Sequence, residues 1–281
     1  MAEEGSNQKG FIYERNAHNA LKKYKISTGA APAGAASDRP DLEIQKKGKR
    51  ATGCELKLAP TAAGSLVMKY MKGKWSFGET DGDDEKELLK FVGTQYKILN
   101  TMNSKTSKWG KNVPNLQNDP SNPKIKMVKD KRFSDYPVDR KRAFYKSDLK
   151  KYGGQNEVKV IVPAKFICDY YISKKCSYIN IGTHGFYTLN DRDDLGLNDY
   201  LLKTGETVIP NFAESVVAEI RVRCQLKSAS KADYQFVMTL QFKSAKASPY
   251  NIAPIISKTN AGINTRVLGG KDNSPLLESF G

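Results

Sequence analysis

Arg39-Pro40-Asp41-Leu42-Glu43-Ile44 and, ten residues on, Cys54-Glu55-Leu56-Lys57-Leu58 are two short segments in which apolar and polar residues alternate. Period two is the pattern of a strand, whose successive side chains point to opposite faces. Between them lies Lys46-Lys47-Gly48-Lys49-Arg50, a basic turn containing glycine, so the pair reads as a hairpin. On the second arm Glu55 and Lys57 share one face, about 7 Å apart along the strand. Cys54, Leu56 and Leu58 take the other face, toward the core. On the first arm Asp41 and Glu43 share a face opposite Leu42 and Ile44. In register, the hairpin brings two or three carboxylates and one ammonium to one end of a sheet.

Close carboxylates repel and are costly unless a cation neutralises them. Oxygen-only ligation by few protein groups suits Mg²⁺, with Mn²⁺ as substitute, because Mg²⁺ keeps several waters and binds substrate phosphate. A lysine beside such an ion polarises a water and offsets charge on phosphorus. Upstream, residues 10–25 read as a helix. At 100° per residue Phe11, Ala17, His18 and Leu21 lie within about 60° of Glu14. That places Glu14 on a largely apolar, inward face, where a lone carboxylate is costly. It either sits at the surface edge or joins the acidic cluster.

Pro40-Asp41, a thirteen-residue spacer and Glu55-Leu56-Lys57 resemble the motif of the PD-(D/E)xK nuclease superfamily. The order is similar too: an acid on a first helix, a strand opening with Asp, then a strand with Glu-x-Lys. The resemblance covers about residues 10–100. It implies a restriction-endonuclease-like, mixed α/β core, with the next helix expected at 61–72. By resemblance Asp41 and Glu55 hold the Mg²⁺, Lys57 positions the attacking water and Glu14 supports the metal site. Glu43 reads as a polar neighbour, with replacement of Asp41 as ligand the alternative.

Of the 281 residues, 46 are Lys or Arg and 30 are Asp or Glu, a net charge of +16. Residues 97–151 alone carry 15 basic and 5 acidic side chains. Such a concentration is the footprint of a polyanion partner, and DNA leads over an anionic membrane because no basic amphipathic helix stands out. Lys129, Lys131, Arg132, Arg140, Lys141 and Arg142 are the expected DNA contacts in this segment, among scattered aromatics that stack or pack. The opposing reading is a solvated basic insertion.

Around these landmarks the chain divides into a nuclease core (1–100), a basic, aromatic-containing and largely irregular insertion (101–156) and a β-rich C-terminal region (157–281), the last either separate from the core or continuous with its sheet. A helix is expected from Asp83 to about Leu99. The clearest hairpin pairs 218–227 with 234–243, and its polar face presents Arg221 and Arg223 either to a duplex or to solvent.

Other chemistries find little support. Four cysteines without a Cys-x-x-Cys pair and two histidines make neither a zinc site nor a disulfide framework. His184 reads as a turn residue, and Gly270-Lys271 lacks the rest of a phosphate loop. No stretch approaches the ~20 apolar residues of a membrane span, and no signal peptide is visible, so the cytoplasm of a bacterial or phage-infected cell is expected. The function expected is Mg²⁺-dependent hydrolysis of DNA phosphodiesters by a restriction-type or phage-type endonuclease. A junction or flap nuclease, an exonuclease, a non-catalytic nucleic-acid-binding protein and an assembly protein are the alternatives. A homodimer is left open.

Overall fold

The computed structural model describes residues 6–29, 39–58, 63–71, 74–80, 82–105, 118–119, 122–126, 137–151, 157–182, 184–227, 233–244, 247–252, 255–256, 263–264 and 274–281. It is a mixed α/β structure with two larger sheets. The chain divides into two compact units. One comprises Met1–Ala63, Pro163–Ala218 and Gln241–Gly281, the other Gly64–Val162 and Glu219–Leu240. They interleave along the chain, where the sequence reading laid three segments end to end.

The first unit contains the hairpin. Strand β1 (Leu42–Ile44) pairs antiparallel with β2 (Thr52–Lys57), with Leu42 opposite Cys54 and Ile44 opposite Thr52. On its far side β2 pairs in parallel with β8 (Cys176–Ile181), which pairs antiparallel with β9 (Gly185–Thr188), giving the order β1-β2-β8-β9. A parallel neighbour requires a crossover rather than a tight turn. Here the path from β2 to β8 runs through the second unit and then a helix, Lys165–Ser173, just before β8.

Helix α1 (Ser6–Lys23) buries Tyr13, Ala17 and Leu21 in one core with Leu42, Ile44, Leu56 and Phe186. Phe11, expected on the inward face, is instead 40% exposed, so the buried stripe is centred on Tyr13 rather than on Glu14. The core positions of α1 follow spacings of four, as an amphipathic helix requires.

The second unit is built on a five-stranded sheet of order β4-β3-β11-β10-β7. Its strands are β3 (Ala63–Met71), β4 (Lys74–Phe77), β7 (Glu157–Val162), β10 (Val216–Lys227) and β11 (Asp233–Ser244). Strand β3 corrects the helix expected at 61–72. Leu66 and Met68 are buried while Val67 and Lys69 are less so, a period of two, and β3 pairs antiparallel with β4. The helix that the resemblance implied at this place in the chain is therefore replaced by a strand.

The helix expected over 83–99 is two, α2 (Asp84–Gln95) and α3 (Ile98–Lys105), separated at Lys97, whose φ is +52°. Asp83 caps α2 by accepting the backbone N–H of Lys86. The described part of 101–156 is not irregular. It holds a small antiparallel pair, β5 (Asn118–Asp119) and β6 (Asn122–Lys126), and helix α4 (Val138–Lys151). Toward the C-terminus are two short strands, β12 (Ile255–Ile256) and β13 (Ile263–Asn264), and a helical turn at Ser274–Glu278. Among the described residues no helix is long and apolar enough to cross a membrane.

Candidate active site

Register places the acids. One residue beyond the Leu42–Cys54 pair, the β1–β2 ladder brings Asp41 beside Glu55. The Leu56 N–H donates to Asp41 Oδ2 at 2.8 Å, which ties that carboxylate to the strand carrying Glu55 and Lys57. Burial pushes the Asp41 carboxyl well above its ordinary range, the Glu55 charge pushes it further, Lys57 pulls it back, and Glu14 raises it again. Asp41, Glu55, Lys57 and Glu14 are therefore brought together, from three different elements.

Glu55 is 1% exposed and Lys57 8%. Both faces of β2 are thus covered, one by the core that includes α1 and the other by Tyr171 and Lys174, whereas the alternation alone suggested one covered face. Lys57 Nζ meets Glu55 Oε1 at 2.7 Å, a buried ion pair rather than the exposed one a solvated strand would carry. Glu14 is half-buried on α1, next to Tyr13. The Tyr13 hydroxyl accepts a 3.1 Å hydrogen bond from Asn180 of β8, which fixes this turn of the helix over the sheet. Glu43 is exposed and pairs opposite Gly53, and it is not among the charges acting on Asp41.

The sequence reading missed a second lysine. Helix α5 (Lys165–Ser173) ends at Lys174, and Lys175 turns the chain into β8 with φ +63°. Lys174 Nζ lies 3.9 Å from Glu55 Oε2, and Lys174 is 9% exposed. Lys57 and Lys174 both stand over the ring of Tyr171, at 5.4 and 5.7 Å from its centroid, and Lys174 also stands over Tyr170 at 5.5 Å. Gly53 makes this approach possible. Its N–H donates to the Lys175 carbonyl, and a Cβ there would lie 2.7 Å from that oxygen and 2.7 Å from Pro40 Cβ. The local signal was Pro163 followed by a short apolar run ending in two lysines; nothing in it points at Glu55.

Among the described residues three carboxylates and two ammonium groups thus lie together. Burial, and after it the charges of Glu55 and Glu14, oppose ionisation of Asp41, a cost that a divalent cation offsets. Among the described residues no three His, Cys, Asp or Glu side chains form a ready metal cage. Asp41 and Glu55 fit a two-carboxylate site of the kind Mg²⁺ completes with water and substrate oxygens.

Of the expected DNA contacts, Lys129, Lys131 and Arg132 lie outside the described residues, as do the side chains of Arg140 and Lys141. Arg142 is exposed on α4, 3.7 Å from Asp139. Arg223 is exposed, whereas Arg221 is half-buried and bonded through Nε to the Glu157 carboxylate of β7. The hairpin face is also less uniformly exposed than its alternation suggested, since Glu219 and Val237 are buried. His18 is buried and hydrogen-bonded through Nδ1 to Ser27 Oγ at 2.9 Å, and His184 sits in the turn between β8 and β9. Cys54, Cys168 and Cys176 are buried free thiols.

Comparison with models of protein families, with curated proteins and with solved structures finds no match.

Proposed function

We propose that this protein is a Mg²⁺-dependent DNA endonuclease whose site is Asp41, Glu55 and Lys57, supported by Glu14. The observation that carries the reading is the bond from the Leu56 N–H to Asp41, which joins the Pro-Asp segment to the Glu-x-Lys strand at a buried, acid-rich point. A stability role alone explains this poorly. Burying repelling carboxylates costs free energy, and apolar residues of similar size would pack there without that cost.

Asp41 and Glu55 would hold the metal, and Mn²⁺ would replace Mg²⁺. When bound, the ion supplies Lewis-acid polarisation of the phosphate and a more acidic water. The residues supply the rest. Lys57 is held against Glu55 Oε1 and over Tyr171, so its ammonium is oriented before substrate arrives. That preorganisation suits it to steady the attacking water and developing negative charge at phosphorus. Glu14 adds negative charge next to Asp41, which strengthens attraction for a cation. The segment 97–151 and Arg223 would contact the phosphate backbone, where Lys and Arg contacts position without reading sequence.

The test is incubation of the purified protein with supercoiled plasmid, with Mg²⁺ and with excess chelator. Nicking that needs Mg²⁺ and disappears in Glu55→Ala is expected. Binding without nicking would favour a non-catalytic nucleic-acid-binding protein. Linear, single-stranded and branched substrates run beside the plasmid distinguish endonuclease from exonuclease and junction activity.

A further inference from the structure

Lys174 is the charged member of the cluster that the sequence motif did not supply. Its side chain is nine-tenths buried, yet among the described residues its ammonium donates no hydrogen bond. At 3.9 Å from Glu55 Oε2 it is close enough for charge attraction and too far for a hydrogen bond. Glu55 Oε2 in turn accepts no hydrogen bond. An ammonium carries three donors, and drawing its side chain largely out of water with none of them bonded to protein costs free energy. The ring faces of Tyr170 and Tyr171 offset part of that cost and hold the group in place without consuming a donor. The result is a fixed cation with its hydrogen-bonding capacity unspent, beside Lys57 over the same tyrosine.

We propose that Lys174 is a second phosphate-contacting lysine of this site, donating to a non-bridging oxygen of the phosphodiester while Lys57 serves the attacking water. The geometry gives the division of labour. Lys57 pairs with one oxygen of Glu55 at hydrogen-bond distance, whereas Lys174 faces the other oxygen with its donors free. An oxyanion is the ligand that fills such donors and matches their charge. The aromatic support also explains why the lysine follows a Tyr170-Tyr171 pair at the end of α5. The assignment rests on the nuclease reading for the identity of its ligand, not for the free donors.

The experiment compares wild type, Lys174→Gln and Lys174→Arg in two measurements. The first is binding of a short DNA duplex as a function of salt, in Ca²⁺ so that cleavage does not intervene. The second is plasmid nicking in Mg²⁺. Lys174→Gln should weaken duplex binding and reduce the magnitude of the slope of log affinity against log salt by about 0.9, the loss of one phosphate contact. It should lower kcat/KM at least tenfold, and Lys174→Arg should restore most of both. A packing role moves neither the salt slope nor its recovery by arginine.

In the unmodified protein, duplex DNA should also slow acetylation of Lys174 read by mass spectrometry, which needs no variant to fold. Wild-type nicking with an unchanged slope in folded Lys174→Gln overturns this assignment and leaves the nuclease reading standing. So does acetylation of Lys174 that DNA does not slow. A slope change without nicking by any form overturns the nuclease reading and keeps the phosphate contact. A wild-type protein that binds no DNA overturns both.

Discussion

Asp41 Oδ2 accepts the backbone N–H of Leu56 at 2.8 Å. Fifteen positions apart in the chain, these residues make the bond that turns two ordinary strand segments into one acidic site. Burial, Glu55 and Glu14 oppose the ionised form of Asp41, while Lys57 and, to a smaller extent, this N–H favour it.

If Asp41 and Glu55 hold the ion, Asp41→Ala and Glu55→Ala should abolish Mg²⁺-dependent nicking while far-UV circular dichroism stays native. Lys57→Ala should abolish nicking with Mg²⁺ affinity, measured by calorimetry, largely retained. Ca²⁺ should support DNA binding with little cleavage, because its larger, looser shell places the water poorly. Nicking by Glu55→Ala at the wild-type rate sinks the site.

Glu14→Gln should slow nicking by more than tenfold, about 1.4 kcal/mol of barrier, because Glu14 acts on Asp41. Glu43→Gln should change the rate by much less, since Glu43 is exposed on β1. Single-turnover rates decide the order, and the reverse order names Glu43 as the supporting acid.

Gly53→Ala should destabilise the protein by about 2 kcal/mol in urea unfolding, because the new methyl meets the Lys175 carbonyl and Pro40. Nicking should fall as well, since the same contact holds the Lys174 turn against the strand of Glu55. An unchanged unfolding midpoint would show that this approach relaxes freely.

Glu157 offers a pH test in the second unit. Burial pushes its carboxyl up, but hydrogen bonds from Lys159 and Arg221 outweigh this and hold it below the usual carboxylate range. The folded state therefore binds this proton more weakly than the unfolded chain. Its contribution is present above the ordinary glutamate value of about 4.3 and is lost as pH falls through the lower folded value. Glu157→Gln should cost about 1 kcal/mol at neutral pH, and that difference should shrink in acid. A thermal-unfolding difference that grows in acid would reverse the sign and remove the argument.

Reversing Lys129, Lys131 and Arg132 to Glu should weaken duplex binding and flatten its salt dependence by about 0.9 per lost phosphate contact. The chemical step at saturating enzyme should change far less than in Lys57→Ala. Unchanged affinity and slope would make this segment a solvated insertion, and Arg223 on β10 would become the next residue to change.

The sequence by itself determined the hairpin, because period-two alternation on both arms and a glycine-containing basic turn leave few other foldings for residues 41–58. It also determined β7, β8, β9 and the long arms of β10 and β11, whose alternation or continuous apolar runs are local signals. The pairing of Pro-Asp with Glu-x-Lys was legible for the same reason: both lie within one hairpin, and register follows from local pattern. Only the tertiary structure decided what lies beside that hairpin. The parallel partner of β2 is β8, more than a hundred residues away, and no local periodicity encodes a partner across an inserted unit. Glu55 is buried on what looked like a polar face because Tyr171 and Lys174, from the helix before β8, lie over that face. Lys174 belongs to the site because the turn after α5 closes onto Gly53. Arg221 is engaged by Glu157 because β7 is the neighbour of β10. Charge and alternation are properties of a residue and its neighbours in the chain, whereas burial and pairing depend on which distant strand arrives alongside.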